Sequence, residues 1–217
     1  YIFTSNLFDF DEVFKFWAAD KIEIGSKYII GQHGNKYGTD KLFCPTIEEL
    51  IADKFLTWGW KDGLPQHVPS FIFKNAGRKK VRHDPRGGLL LIELSLSHRI
   101  TTWDNTYEFT NYFDDQVNFV KKLKGDAKQR LIVRLHEACR HTTWCEEARW
   151  RDFDPTVKLD EGSKPLKELI ANSRLVVHSY DSTGILETLS MNIPTLAFWQ
   201  NGFDNLRDSA RPYYQGL

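Results

Sequence analysis

Residues 174–198 read RLVVHSYDSTGILETLSMNIPTLAF, and the fold class follows from this stretch. Leu175, Val176 and Val177 form a short apolar run behind Ser173, the pattern of a strand buried on both faces of a parallel sheet. Residues 179–184 break the run with small polar side chains. From Ile185 the spacing of Ile185, Leu186 and Leu189 turns helical, with Ser182 or Thr183 as its N-cap. Pro194 stops that helix, and residues 195–199 supply the next buried strand. The unit is strand, polar turn, helix, strand. In such a unit the turn lies at the carboxyl end of the sheet, where free backbone N–H groups and the positive end of the helix dipole hold a phosphate. Ser182, Thr183 and Gly184 are then the anion contacts, and Glu187, one turn further on, faces a ribose. The plainer alternative is that Ser and Thr only cap the helix and Glu187 is a solvated first-turn acid.

The same alternation extends upstream. Residues 88–96, 130–135 and 156–159 have the composition of buried strands, and residues 107–123 place Phe109, Tyr112, Phe113, Val117 and Val120 on one helical face. Strands alternating with helices predict one parallel, doubly wound sheet. Residues after two of these strands are offered at the carboxyl edge: Ser95, Ser97, His98 and Arg99 after the first, Arg134, His136 and Glu137 after the second. His136, Cys139, His141 and Cys145 crowd the latter loop. They form neither HExxH nor a paired CxxC, so they predict a polar loop and no metal.

Towards the amino terminus, residues 1–4 and 27–31 read as strands and 9–19 as a helix burying Phe10, Val13, Phe14 and Trp17. A further helix opens at Thr46, where Thr46 and Glu49 spell a capping box, with Ile47, Leu50, Ile51, Phe55 and Trp58 as its buried stripe. Residues 59–69 hold two glycines and two prolines with little periodicity, which predicts a domain boundary: residues 1–62 close an amino-terminal domain and 63–217 form the nucleotide-binding one. Between strand and helix lies GQHGNKYG, residues 31–38, a tight glycine loop that presents His33. An imidazole titrates near neutrality and can take a proton from an attacking hydroxyl; a lone His in such a loop is otherwise a hydrogen-bonded turn residue.

The balance of charge is even, with 29 basic and 29 acidic residues among 217, so no global field favours nucleic acid. The basic run 78–86 carries no base-reading motif. Three cysteines are too sparse and odd a set for a disulfide framework and suit a reducing, cytoplasmic setting. No apolar run approaches the roughly twenty residues of a membrane span. The opening YIFTSN, mid-strand and without Met, is that expected of a piece of a longer protein.

The segments HSYDSTGILETLSMNIPTLAFW (178–199) and GQHGNKYG (31–38) together resemble a family of transferases from bacterial surface-polysaccharide loci. That family is similar to two-domain GT-B glycosyltransferases and, more distantly, to the glycerophosphotransferases of teichoic acid synthesis. The resemblance implies a GT-B-like α/β fold, with a Rossmann-type parallel sheet flanked by helices and part of a second α/β domain. It implies transfer of a sugar from a nucleotide-sugar donor to a glycan or lipid-linked glycan, without nucleic acid and without a metal cofactor. Peripheral association with the inner face of the cytoplasmic membrane accompanies that expectation. On this reading His33 is the catalytic base, and Gly34, Asn35, Lys36 and Tyr37 form the acceptor-side loop. Arg134, His136, Glu137, His178, Ser182, Thr183, Gly184 and Glu187 bind the donor, with His178, Ser182 and Thr183 stabilising the departing phosphate. Asn35 stands where a further glycine is expected. Transfer of glycerol phosphate from a CDP-linked donor and non-catalytic nucleotide or sugar binding are the alternatives.

Overall fold

The computed structural model describes residues 1–77, 81–96, 108–141, 144–200 and 202–216. The chain divides into two compact units, Tyr1–Arg78 with Phe203–Gly216, and Lys79–Gly202. Both are α/β, with wholly parallel sheets flanked by helices.

In the first unit, β1 (Ile2–Thr4) leads through α1 (Leu7–Phe10) and α2 (Glu12–Glu23) to β2 (Tyr28–Gly31). There follow a 3-10 turn (Lys41–Phe43), α3 (Ile47–Ile51), β3 (Lys54–Thr57) and β4 (His67–Pro69). The strands lie in the order β1-β2-β3-β4, and Ile2, Ala18, Tyr28, Ile30, Tyr37, Ala52 and Phe55 form the core. Three features depart from the sequence reading. The helix expected over 9–19 is broken at Asp11, whose carboxylate accepts from Phe14 N at 2.8 Å and so starts α2 afresh. Of its expected apolar stripe, Phe10, Val13 and Trp17 are exposed and Ala18 is buried instead. The stripe expected on α3 is likewise turned outward: Ile47 and Leu50 are 65% and 57% exposed, whereas Glu48 and Glu49 are 2% and 0%. Phe55 belongs to β3, because α3 ends after five residues and Phe55 and Thr57 alternate inward along a strand. The expected boundary after residue 62 falls between β3 and β4, both strands of the first sheet.

Residues 203–216 return to the first unit. Lys41 N donates to Asn205 O at 2.9 Å, Arg207 N to Thr39 O at 2.8 Å, and Arg207 Nη1 pairs with Asp62 Oδ2 at 3.0 Å. Leu206, bridged to Asp40, is 1% exposed. The short α9 (Arg211–Tyr214) follows.

The second unit runs β5 (Gly88–Ile92), α4 (Phe109–Lys122), α5 (Gly125–Gln129), β6 (Leu131–Arg134), α6 (Glu146–Phe153) and β7 (Lys158–Asp160). It continues with α7 (Leu166–Ala171), β8 (Ser173–His178), α8 (Thr183–Ser190) and β9 (Thr195–Ala197). The five strands expected from the sequence all appear, in the order β7-β6-β5-β8-β9. This is a Rossmann-like sheet, with the direction of winding reversing between β5 and β8. Alternate residues of its central strands serve opposite faces. Leu89, Leu91, Val133 and Val177 pack with Val117, Val120 and Trp150 on one side. Leu90, Ile92 and Val176 pack with Leu169, Ile170 and Ile193 on the other. Each such aliphatic side chain contributes about 1.5–3 kcal/mol by burial, so the sheet that carries the β8 turn is a rigid base. Among the described residues, no helix is long and apolar enough to cross a membrane.

Candidate active site

In the second unit the polar turn between β8 and α8 stands at the reversal of winding, beside the carboxyl end of β5. Tyr112, reaching over from α4, ties the two strand ends together. Its hydroxyl accepts from Leu94 N at 2.6 Å and lies 2.8 Å from Ser179 Oγ, which itself donates to Ile92 O at 2.9 Å. The turn therefore leaves the sheet at a fixed angle.

His178, the last residue of β8, is 1% exposed and turned inside this unit. Ser182 Oγ lies 3.4 Å from its Nδ1 and Thr188 Oγ1 3.4 Å from its Nε2. A Cβ on Gly184 would come within 2.7 Å of its Cε1, so Gly184 is the residue that lets α8 close on the ring. Burial pushes His178 down to about 4, so the ring is neutral at pH 7. It braces turn and helix from within and presents no charge to a ligand. Ser182 is also buried, bonded to the Tyr180 hydroxyl as well as facing His178, and does not cap α8 with its side chain. Thr183 and Gly184, half-buried, open the helix, and their amides have no acceptor within it. Glu187 lies one turn on, half-buried. These residues are brought together; the amides of the first turn make the group suited to an anion.

The contacts expected after β6 lie one strand away. Arg134 is ion-paired with Asp160 and donates to Lys164 O at 2.9 Å, which occupies its guanidinium inside the β6–β7 edge. His136 and Glu137 are exposed, and Ala138 N donates to His136 Nδ1 at 3.1 Å. Cys145 is exposed, and His141 lies outside the residues whose side chains are described. Ser97, His98 and Arg99 are outside the described residues altogether.

In the first unit, β2 delivers the 31–38 loop. Gln32 organises it, donating to Gly34 O at 2.6 Å and accepting from Trp58 N and Trp60 Nε1, both at 2.8 Å. His33 keeps 25% of its side-chain surface exposed, with Nε2 3.4 Å from Asp9 Oδ2, Nδ1 3.0 Å from the Tyr37 hydroxyl and a hydrogen bond to the Ser5 backbone. Burial holds His33 below its ordinary value, while Asp9 and Ser5 act upward. Burial also raises Asp9, against the pull of His33 and Lys15. Tyr37 is buried and hydrogen-bonded to Glu48. Asn35 is buried too, its carbonyl accepting from Thr39 Oγ1 at 2.8 Å, and Lys36 lies over the Phe43 ring. Of the expected acceptor-side residues, Gly34 and Lys36 thus lie towards the surface, while Asn35 and Tyr37 point into the unit.

Two sets of potential ligand atoms approach within 4.8 Å, Asp9–His33–Glu48 and Glu49–Asp62–His67. In the second, His67 Nδ1 lies 2.8 Å from Asp62 and Nε2 3.2 Å from Glu49. In both, the imidazole nitrogens face partners from the protein itself, and each set is coherent as a network of charges and hydrogen bonds.

Residues 1–217 match the model of a single family, described as LIC12162 family transferase. The chain belongs to the LIC12162 family of transferases. No curated protein and no solved structure matches it.

Sequence reasoning about this transferase missed the residues that the fold carries to its sites from a distance. Asp9 read as part of a helix and Glu48 as the neighbour of a capping residue, yet both meet at His33. Glu93, just past β5, is 4% exposed, accepts from Trp150 Nε1 at 2.8 Å and is pushed up to about 8 by burial, with Glu146 adding to the rise. The one available signal was an acidic residue directly after a run of four aliphatics.

Proposed function

We propose that this transferase moves a sugar from a nucleotide-activated donor to a bacterial surface polysaccharide, in the manner of a GT-B glycosyltransferase acting on the cytoplasmic side. The observation that carries this reading is the β8–α8 turn, set at the reversal of a Rossmann-like sheet and held there by Tyr112 and Ser179. The amides at Thr183 and Gly184 receive the donor's diphosphate, aided by the Thr183 hydroxyl, and Glu187 contacts the ribose. Oriented amides and the helix dipole carry out the charge neutralisation that a metal performs elsewhere. In the first unit, His33 takes the proton of the acceptor hydroxyl as the new bond forms. Nδ1 faces Tyr37, so Nε2 is the edge for the acceptor, and Asp9 beside it stabilises the imidazolium.

The test is a panel of CMP-, CDP-, UDP- and GDP-linked compounds, scored by thermal stabilisation of the full-length protein. A nucleotide sugar should stabilise it; a response confined to CDP-glycerol would assign glycerol phosphate transfer, and no response to any would remove the donor site. Thr183→Ala should weaken the responding nucleotide by about 1–3 kcal/mol, the worth of a hydrogen bond to a charged group. With a competent acceptor, His33→Ala should slow transfer by on the order of a hundredfold or more and leave donor affinity nearly intact. Near-normal turnover of that variant would take His33 out of the mechanism.

A further inference from the structure

His33 is joined to a buried carboxyl by an unbroken chain. Its Nδ1 lies 3.0 Å from the Tyr37 hydroxyl, and the same hydroxyl is bonded to Glu48 Oε2. Tyr37 is 3% and Glu48 2% exposed, so the chain runs from the surface side of the imidazole into the core. Glu48 is there at a cost. The helix that carries it buries two carboxylates and exposes Ile47, Leu50 and Ile51, the reverse of what apolar burial favours. Local rules are broken in this way at functional positions more than elsewhere.

A hydroxyl has a single proton to donate. With Glu48 ionised, the Tyr37 O–H points to the carboxylate, and its oxygen accepts only from Nδ1–H; the imidazole lone pair is then at Nε2. With Glu48 protonated, its O–H donates to Tyr37, the Tyr37 O–H turns to Nδ1, and the ring proton sits at Nε2. We propose that Glu48 sets the tautomer of His33 through Tyr37, so that ionising this buried carboxyl bares Nε2 as the base. Protons balance: on arming, Nε2 releases its proton to solvent while the Glu48 proton passes through Tyr37 to Nδ1. When Nε2 takes a proton from an acceptor hydroxyl the chain runs in reverse, and the charge neutralised is that of Glu48. This use of the coupling rests on the function proposed above; the coupling itself does not.

The groups facing the chain are Asp9, Glu49, Tyr28 and, through Asp9, Lys15. Burial, with Asp9 and Glu49, raises Glu48 to about 7 despite its bond to Tyr37, so both states are reachable near neutrality.

The experiment is nitrogen-15 NMR of the imidazole in the full chain without donor or acceptor, with His33→Gln to assign the His33 signals. From about pH 6 to about pH 9, Nδ1 should pass from pyridine-type to pyrrole-type while Nε2 does the opposite, a swap distinct from ring protonation, which makes both pyrrole-type. Glu48→Gln and Tyr37→Phe should each abolish the swap. One unchanging tautomer in the wild type, or a swap that survives in Glu48→Gln, overturns the proposal, and the wild-type and Glu48→Gln spectra decide it even if Tyr37→Phe does not fold. Loss of turnover in His33→Ala is a separate measurement, so failure of the function and failure of the coupling are told apart.

Discussion

Glu93 and His178 sit at the ends of adjacent strands, and burial keeps both uncharged at pH 7. Their contributions to stability have opposite dependence on pH. Glu93 is raised in the folded chain from 4.5 to about 8, so its favourable contribution is complete below the unfolded value and is lost as pH rises through the folded one. Glu93→Gln keeps an acceptor for Trp150 without the ionisation. Urea unfolding should therefore find the variant more stable than the wild type near pH 9, by up to about 5 kcal/mol, and nearly equal to it below about pH 4.5. An equal gap at both pH values would show that Glu93 does not titrate in this window. His178 is lowered from 6.5 to about 4, so its contribution is complete above the unfolded value and is lost as pH falls towards the folded one. His178→Gln should flatten that acid limb, worth about 3 kcal/mol, which unfolding at about pH 7 and about pH 4 would measure.

At the scale of elements, the central strand depends on two glycines that admit backbone rather than ligand. A Cβ on Gly88 would lie 2.1 Å from Arg130 O, and one on Gly87 2.4 Å from Asn172 O. Neither neighbour is the end of a flexible side chain, so the start of β5 must move away from β6 or β8 to make room. Gly88→Ala should lower stability by about 3 kcal/mol or more, read as a fall in the urea midpoint. Gly34→Ala, where nothing lies within 4 Å, should change it by no more than about 0.5 kcal/mol. Equal effects would mean that the packing at β5 is not what limits stability. The helices divide differently. α8 follows its own apolar spacing, with Ile185 buried, whereas α2 and α3 expose the stripes that periodicity assigned to the core. Periodicity reports that a face is apolar and leaves open which face the sheet covers.

At the scale of the molecule, the first unit is built from both ends of the chain. Leu206 is 1% exposed against residues some 160 positions earlier in sequence, and the main chain on either side of it is bonded to Lys41 and Thr39. Leu206→Ala should destabilise this unit by about 2–4 kcal/mol, the usual cost of emptying such a site. The same variant should speed amide exchange at Lys41 and Arg207, whose N–H groups donate across the junction. Unchanged protection there would mean that the returning segment adds nothing to the unit.

Residues 174–198 determined the second unit almost unaided, because a strand buried on both faces is apolar throughout and a turn of small polar residues interrupts it unmistakably. The five strands, their parallel direction and the turn at the end of β8 were legible for that reason. β3 and β4 were not. Each has three or four residues, and their neighbours in sequence carry helical spacing or turn residues, so only pairing with β2 reveals them. The candidate site divides along the same line. Thr183, Gly184 and Glu187 are neighbours in sequence and could be grouped by spacing. Asp9, His33, Tyr37 and Glu48 come from two helices and a loop, and no spacing rule joins a residue to another forty positions away. Tertiary structure also decided which way α3 faces, burying Glu48 beside Tyr37, because that orientation is set by the hydrogen bonds its carboxylates find and not by the apolar pattern of its own five residues.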